Sequence, residues 1–223
     1  MPMIPALILI LAAVAFRILT GLAIISGSTG LSNFAPLAAI ALCGAVYFPA
    51  KFKFTIPLVA LFLSDVVLNV YYGAPLFVPL IACRYFALAL IGWLGLVIAN
   101  QPSWKTLLPA SLVASTFFYG ITNVFSWLSD PGYPKNLSGL VQALTVGLPQ
   151  YSATPTWMFF RNSILSDLFF TGLFLLCMSV SRSSSSPPPI DLPACAMTAT
   201  LVTWPSPRHG CARLPRWRGR RTR

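Results

Sequence analysis

Charge is scarce in this chain. Asp, Glu, Lys and Arg make up only 9% of its 223 residues, against roughly 25% in an average soluble domain. With 57% hydrophobic residues and a mean hydropathy of +0.77, that shortfall excludes an ordinary water-soluble fold. Acidic groups are scarcest of all: Asp65, Asp130, Asp167 and Asp191. Histidine is nearly absent, and the single one, His209, lies close to the C-terminus. A zinc site needs three or four clustered ligands, so neither a metal site nor a bound cofactor is expected. The cysteines Cys43, Cys83, Cys177, Cys195 and Cys211 form no CxxC pair, and an odd count partly inside apolar runs argues against a disulfide framework. Without a histidine, Ser64 and Ser166 lack the base that a serine nucleophile requires.

Long apolar runs are what the chain does have. Six stand out, near 4–25, 34–48, 55–71, 75–98, 107–127 and 156–180. A helix needs about 20 residues to cross the hydrocarbon core, so the second is short and the third marginal. Shielding by neighbours, or snorkelling of Lys51 and Lys53, would make both acceptable. The runs are apolar nearly all round, the mark of membrane or fully buried helices. The first has no basic leader and is followed by further spans, so it is not read as a signal peptide. The fold class expected is all-α integral membrane: six transmembrane helices over 1–181, with a basic tail over 182–223.

Residues 1–181 carry seven Lys or Arg and three Asp, whereas 182–223 carry eight Arg and one Asp. Basic groups outside the tail are few and dispersed, which excludes a nucleic-acid surface. With the N-terminus in the cytoplasm, Lys51, Lys53, Lys105 and Arg182 face inward and Lys135 outward. The positive-inside rule therefore selects an N-in, C-in, multi-pass arrangement in the bacterial inner (plasma) membrane. Loops near 26–33, 72–74 and 128–155 then face outside. The last opens with the turn Asp130-Pro131-Gly132 and holds an apolar stretch, Leu140–Leu148, expected to form a short interfacial helix between helices five and six. Such a loop is either a lid or a passive connector.

Arg17, Asp65, Arg84, Arg161 and Asp167 lie inside the apolar runs. Each costs about 2.5–3.5 kcal/mol at a helix centre, and together on the order of 15 kcal/mol if unpaired, comparable to the net stability of a whole protein. They must face the bundle interior and find partners. Both aspartates sit in the triplet LSD, with Asn69 four residues after Asp65 and Thr171 four after Asp167, on the same helix face. Helices one and four carry "AFRIL" and "ACRYF", and helices two and five carry Asn33 and Asn123. That pattern fits a weak 3+3 inverted repeat, a plan common among transporters. Asn123 with Trp127, and Asn162 with Ser166, share faces at i,i+4. The candidate substrate-binding residues are thus Arg17, Asp65, Asn69, Arg84, Asn123, Trp127, Arg161, Asn162 and Asp167. Tyr133 and Tyr151 read as interfacial belt residues.

The segments "SNFAPLAAIALCGAVYF", "PLVALFLSDVVLN", "GYPKNLSGLVQAL" and "FFRNSILSDLFFTGL", in that order, resemble a family of uncharacterised bacterial six-span membrane proteins over roughly residues 5–178. That family in turn resembles the substrate-capture (S) components of energy-coupling-factor vitamin transporters. The resemblance implies a small, vitamin-like solute bound near the outer face, and a separate coupling subunit and ATPases as partners. It carries no vitamin-contacting residue over to this chain. The expected function is a solute-binding transport component; the alternative is a structural or assembly protein whose Arg/Asp pairs fix helix register without any ligand. An intramembrane aspartyl protease is disfavoured, because neither LSD aspartate is flanked by glycine.

The tail begins at "SRSSSSPPP" and ends "RLPRWRGRRTR". It has no helical or strand period and too little apolar surface to offset its ordering entropy. It reads as a disordered polybasic anchor for anionic lipid or as an out-of-frame extension of a GC-rich gene. Resequencing the 3′ end of the gene decides this: a frameshift at the serine run is expected, and an intact frame removes the second reading.

Overall fold

A computed structural model describes residues 3–25, 34–75 and 77–183. These form α1 (Met3–Ile25), α2 (Leu37–Tyr47), α3 (Thr55–Tyr72), α4 (Pro79–Ile98), α5 (Trp104–Ser129), α6 (Leu137–Thr145) and α7 (Thr156–Ser183), with no strand among the described residues. Asn33, the 26–33 loop and the tail from 184 onward lie outside the described residues.

Five helices, α1, α3, α4, α5 and α7, are long and apolar enough to cross a membrane. Their outward positions carry large apolar side chains such as Leu19, Leu63, Phe86, Trp93, Phe117 and Phe169, all exposed. Apolar faces of that kind suit a lipid surround, and the helix lengths and composition are consistent with a multi-pass membrane protein. Local signals set the helix ends. Proline opens α4, at a position where its missing N–H costs nothing. The Thr106 hydroxyl accepts from the Ser103 N–H at 3.0 Å at the start of α5. Gly73, at φ +63°, terminates α3 in the left-handed region that glycine tolerates.

The second apolar run does not become a long span. α2 has 11 residues, which is about 16 Å of helix. Every residue from Ala38 to Tyr47 is buried, because α1, α3, α4, α5 and α7 all pack against it. Its alanines and Gly44 let neighbouring backbones approach closely. A Cβ on Gly44 would run into the Pro57 ring of α3, and one on Gly95 of α4 would lie 2.8 Å from the Leu42 carbonyl oxygen.

A helix that begins inside the bundle leaves its first N–H groups without partners, and Pro36 at the N-cap offers no side-chain acceptor. Asp167 supplies one from α7. Its Oδ1 accepts from the Ala39 N–H at 2.9 Å, and its Oδ2 accepts from Ser115 of α5 at 2.7 Å. Ser163 adds a longer contact at 3.5 Å. The carboxyl group is fully buried and holds the start of α2 from another helix. The expectation that an arginine meets Asp167 is corrected here. The ion pairs among the described residues both involve Asp65, and the partial positive charge at a helix start takes the place of a cation. One turn on, the Thr171 hydroxyl donates to that of Ser111 at 3.1 Å, extending the α5–α7 seam.

Asp167→Ala should lower stability by about 1–3 kcal/mol, because it leaves a buried N–H unsatisfied. Asp167→Asn, whose Oδ1 can still accept from Ala39 and whose amide can donate to Ser115, should cost clearly less. Thermal unfolding in detergent measures both; equal losses would dismiss the cross-helix cap.

Candidate functional site

Asp65 gathers three helices. From α1, Arg17 donates through Nη2 to Asp65 Oδ1 at 2.5 Å, and its other amino group bonds the Ser64 hydroxyl. Ser64 in turn donates to the Leu61 carbonyl at 2.6 Å. From α4, Arg84 reaches the same Oδ1 at 3.3 Å, and the Tyr85 hydroxyl donates to Oδ2 at 2.7 Å. The two arginines differ in setting. The Arg17 side chain is 8% exposed and that of Arg84 29%, against 5% for Asp65.

Above this cluster lies a cavity of about 440 Å³. It is bounded by the C-terminal halves of α1, α3 and α5 and the N-terminal parts of α2, α4 and α7, so it occupies the end of the bundle that carries α6. Arg17, Asp65 and Arg84 are among its deepest lining residues. Asn69 and Asn123 contribute amides, while Thr20, Thr122, Ser126 and Ser163 contribute hydroxyls. Phe34, Phe118, Tyr119 and Phe159 form aromatic walls, and Tyr119 stacks on Phe160 with ring centroids 4.4 Å apart. Asn123 donates to the Tyr119 carbonyl at 2.8 Å. Asn69 makes no side-chain hydrogen bond among the described residues.

The family model that matches residues 2–189 is that of DUF6580, a family of unknown function. The chain belongs to this family. No curated protein and no solved structure matches it significantly. The family match names no activity and does not link the chain to energy-coupling-factor components.

Of the nine residues singled out in this DUF6580 protein, Arg17, Asp65, Asn69, Arg84 and Asn123 line the cavity. Trp127, Arg161, Asn162 and Asp167 do not. Trp127 donates its indole N–H to the Pro134 carbonyl at 2.8 Å and so holds the loop rather than a solute. Arg161 is exposed, lies over the Trp157 ring at 5.8 Å, and bonds Asn162 Oδ1 at 3.1 and 3.2 Å. The expectation that it turns inward is corrected: close to the helix end, a long side chain can lie along apolar surface with its charge toward the interface. Asn162 and Ser166 are buried beside it, outside the cavity. Asp167 is occupied at the start of α2.

Sequence reasoning missed several lining groups. Stepping back four residues from Asn123 and Asp167 reaches Tyr119 and Ser163, whereas Thr122 and Ser126 lie four residues from each other and from none of the singled-out positions. Tyr85 stands directly after Arg84 in the "ACRYF" motif.

The loop between α5 and α7 is tied down at several points in this DUF6580 protein. The expected short helix is present as α6, starting at Leu137 rather than Leu140, because Asn136 caps it by accepting from the Gly139 N–H at 2.9 Å. Lys135 donates to the Trp127 carbonyl in the last turn of α5 and to the Asp130 carbonyl just past its end, where a cation complements the helix dipole. Tyr119 anchors α6 from below by donating to the Leu144 carbonyl at 2.7 Å. Burial, reinforced by Asp130 and Tyr151, raises the pKa of the Tyr133 hydroxyl above its ordinary value. No residue of 128–155 lines the cavity.

Replacing Asp65 with alanine would strand two guanidinium groups inside the bundle. A loss of about 3–5 kcal/mol is expected, as for other broken buried pairs, whereas Arg161→Gln should stay within about 0.5 kcal/mol of wild type. Detergent melting curves of the two variants test the difference, and comparable effects would refute the central role of Asp65.

Proposed function

We propose that this protein is a membrane transport component that captures a small, vitamin-like solute in the cavity at the α6 end. The observation that carries this reading is the cavity itself. Its volume of about 440 Å³ falls within the usual range for small-molecule sites, about 300–1,000 Å³. Its lining sets an Arg/Asp cluster, two amides and several hydroxyls against aromatic walls, inside a bundle whose outside faces lipid. Ionisable groups in such a place mark solute pathways by default.

Orientation follows from charge. Lys51, Lys53 and Lys105 belong to the end away from α6, and Lys135 to the α6 end. In the N-in, C-in arrangement of a bacterial plasma membrane protein the cavity therefore faces outside. α2 then counts as a sixth, short crossing shielded by its neighbours. A capture component of this kind, similar to those of energy-coupling-factor transporters, would work with a separate coupling subunit, and no catalysis is assigned to it. The reading does not require a 3+3 inverted repeat, in which α2 and α5 would be counterparts although they have 11 and 26 residues.

A structural or assembly role is the second reading. It is favoured by Asp167, whose hydrogen bonds serve α2 and no solute, and disfavoured by the cavity.

Native mass spectrometry of the detergent-purified protein separates the two. A small-molecule adduct is expected on the wild type and should be absent from Thr122→Trp, which fills the cavity. If the two proteins give identical, adduct-free spectra, the structural reading holds.

A further inference from the structure

We infer that the solute is a small organic monoanion and that Arg84 receives its charged group; this rests on the reading of the cavity as a solute site. The first ground is a charge count. The cavity lining holds two cations, Arg17 and Arg84, and one anion, Asp65. Arginine does not give up its proton in proteins, so one positive charge is left over. Residues 26–33 and Leu76, the undescribed residues in the connections at this end, contain no charged side chain. Asp167 does not line the cavity, and its oxygens are taken by Ala39, Ser115 and Ser163. An uncompensated cation in a low-dielectric bundle is costly, and a singly charged anion neutralises it.

The second ground is that the two arginines are not equivalent. Arg17 is the more buried and is committed on both amino groups, to Ser64 and Asp65. Arg84 is the more exposed. Among the described residues it makes a single hydrogen bond, at 3.3 Å, to an oxygen that Arg17 already holds at 2.5 Å. Asp65 would keep Arg17 and Tyr85 if Arg84 turned away. The remaining Arg84 donors form a planar fork suited to a carboxylate or a phosphoryl group.

The remaining lining describes the body of the molecule. Asn69 and Asn123 can hydrogen-bond polar substituents, and Phe118 and Phe159 offer flat apolar faces. A bare inorganic anion would leave those groups unused. A dianion would overshoot the single residual charge, and a cation would add to it.

Four probes with a common ring test the assignment: benzoate, phenylphosphate, benzamide and benzylamine. Their dissociation constants for the purified protein in detergent at neutral pH can be read by ligand-observed NMR. Benzoate is expected to bind at least about tenfold more tightly than benzamide, and benzylamine the most weakly. Phenylphosphate, whose second proton leaves near pH ~6, is expected to bind less tightly than benzoate. Arg84→Gln should erase the preference for benzoate, and Arg84→Lys, which keeps the charge but loses the fork, should retain part of it; melting curves check that both fold.

Benzamide or benzylamine binding as well as benzoate would overturn the anion assignment while leaving solute capture standing. Tighter binding of phenylphosphate would overturn the single charge. A preference for benzoate that survives in folded Arg84→Gln would remove Arg84 as the receiving group. If no probe binds at tens of millimolar, the anion inference fails, while the adduct in the native mass spectrum still decides solute capture.

Discussion

Acyl chains offer neither hydrogen bonds nor solvation of charge, so the carboxylates within this bundle must find their partners in the protein. Asp65 and Asp167 meet that requirement in opposite ways. Asp65 answers cations: two guanidinium groups and a phenol from α1 and α4 converge on one carboxylate of α3. Asp167 answers a backbone: it accepts from the start of α2 and from a serine of α5. Between them, two LSD triplets that look alike in sequence tie the long helices around the short central one.

The cavity follows from the same constraint. Large side chains fill the half of the bundle around α2, where Leu42, Leu88, Ile91 and Phe174 are almost fully buried. Beyond the start of α2 the described residues include no central helix, and the long helices continue to the α6 end with polar residues turned inward. The cavity thus lies where the central helix is missing, and the Asp65 cluster stands at its deep end.

Much of this was legible in the sequence. Run length alone identifies the five long helices, because about 20 consecutive apolar residues have few other uses. The cost of an isolated charge foretold that Asp65 would meet an arginine, but not that Arg17 and Arg84 would both converge on it. The partner of Asp167 was not legible, since a helix start offers backbone N–H groups that no side-chain inventory reveals. The direction of Arg161 was ambiguous, because near a span end a long side chain is stable facing either way. Thr122 and Ser126 escaped notice for a related reason. Hydroxyls in apolar helices commonly bond their own backbone, as these do to the Phe118 and Thr122 carbonyls at 2.8 and 3.0 Å, so residue type gives no sign of a cavity. The start of α6 was displaced because the apolar stretch was read without its cap, Asn136.

The shortness of α2 bears on how the protein is made. Spans that enter the bilayer one at a time must each be stable alone in lipid before they associate. At 11 residues, α2 is too short to hold such a position unaided, and its uncapped start would face hydrocarbon. The Ala39 N–H gains its acceptor only once α7 has brought Asp167 into place. Since α7 follows α2 by more than a hundred residues, this cap on the central helix cannot form until α7 has been synthesised.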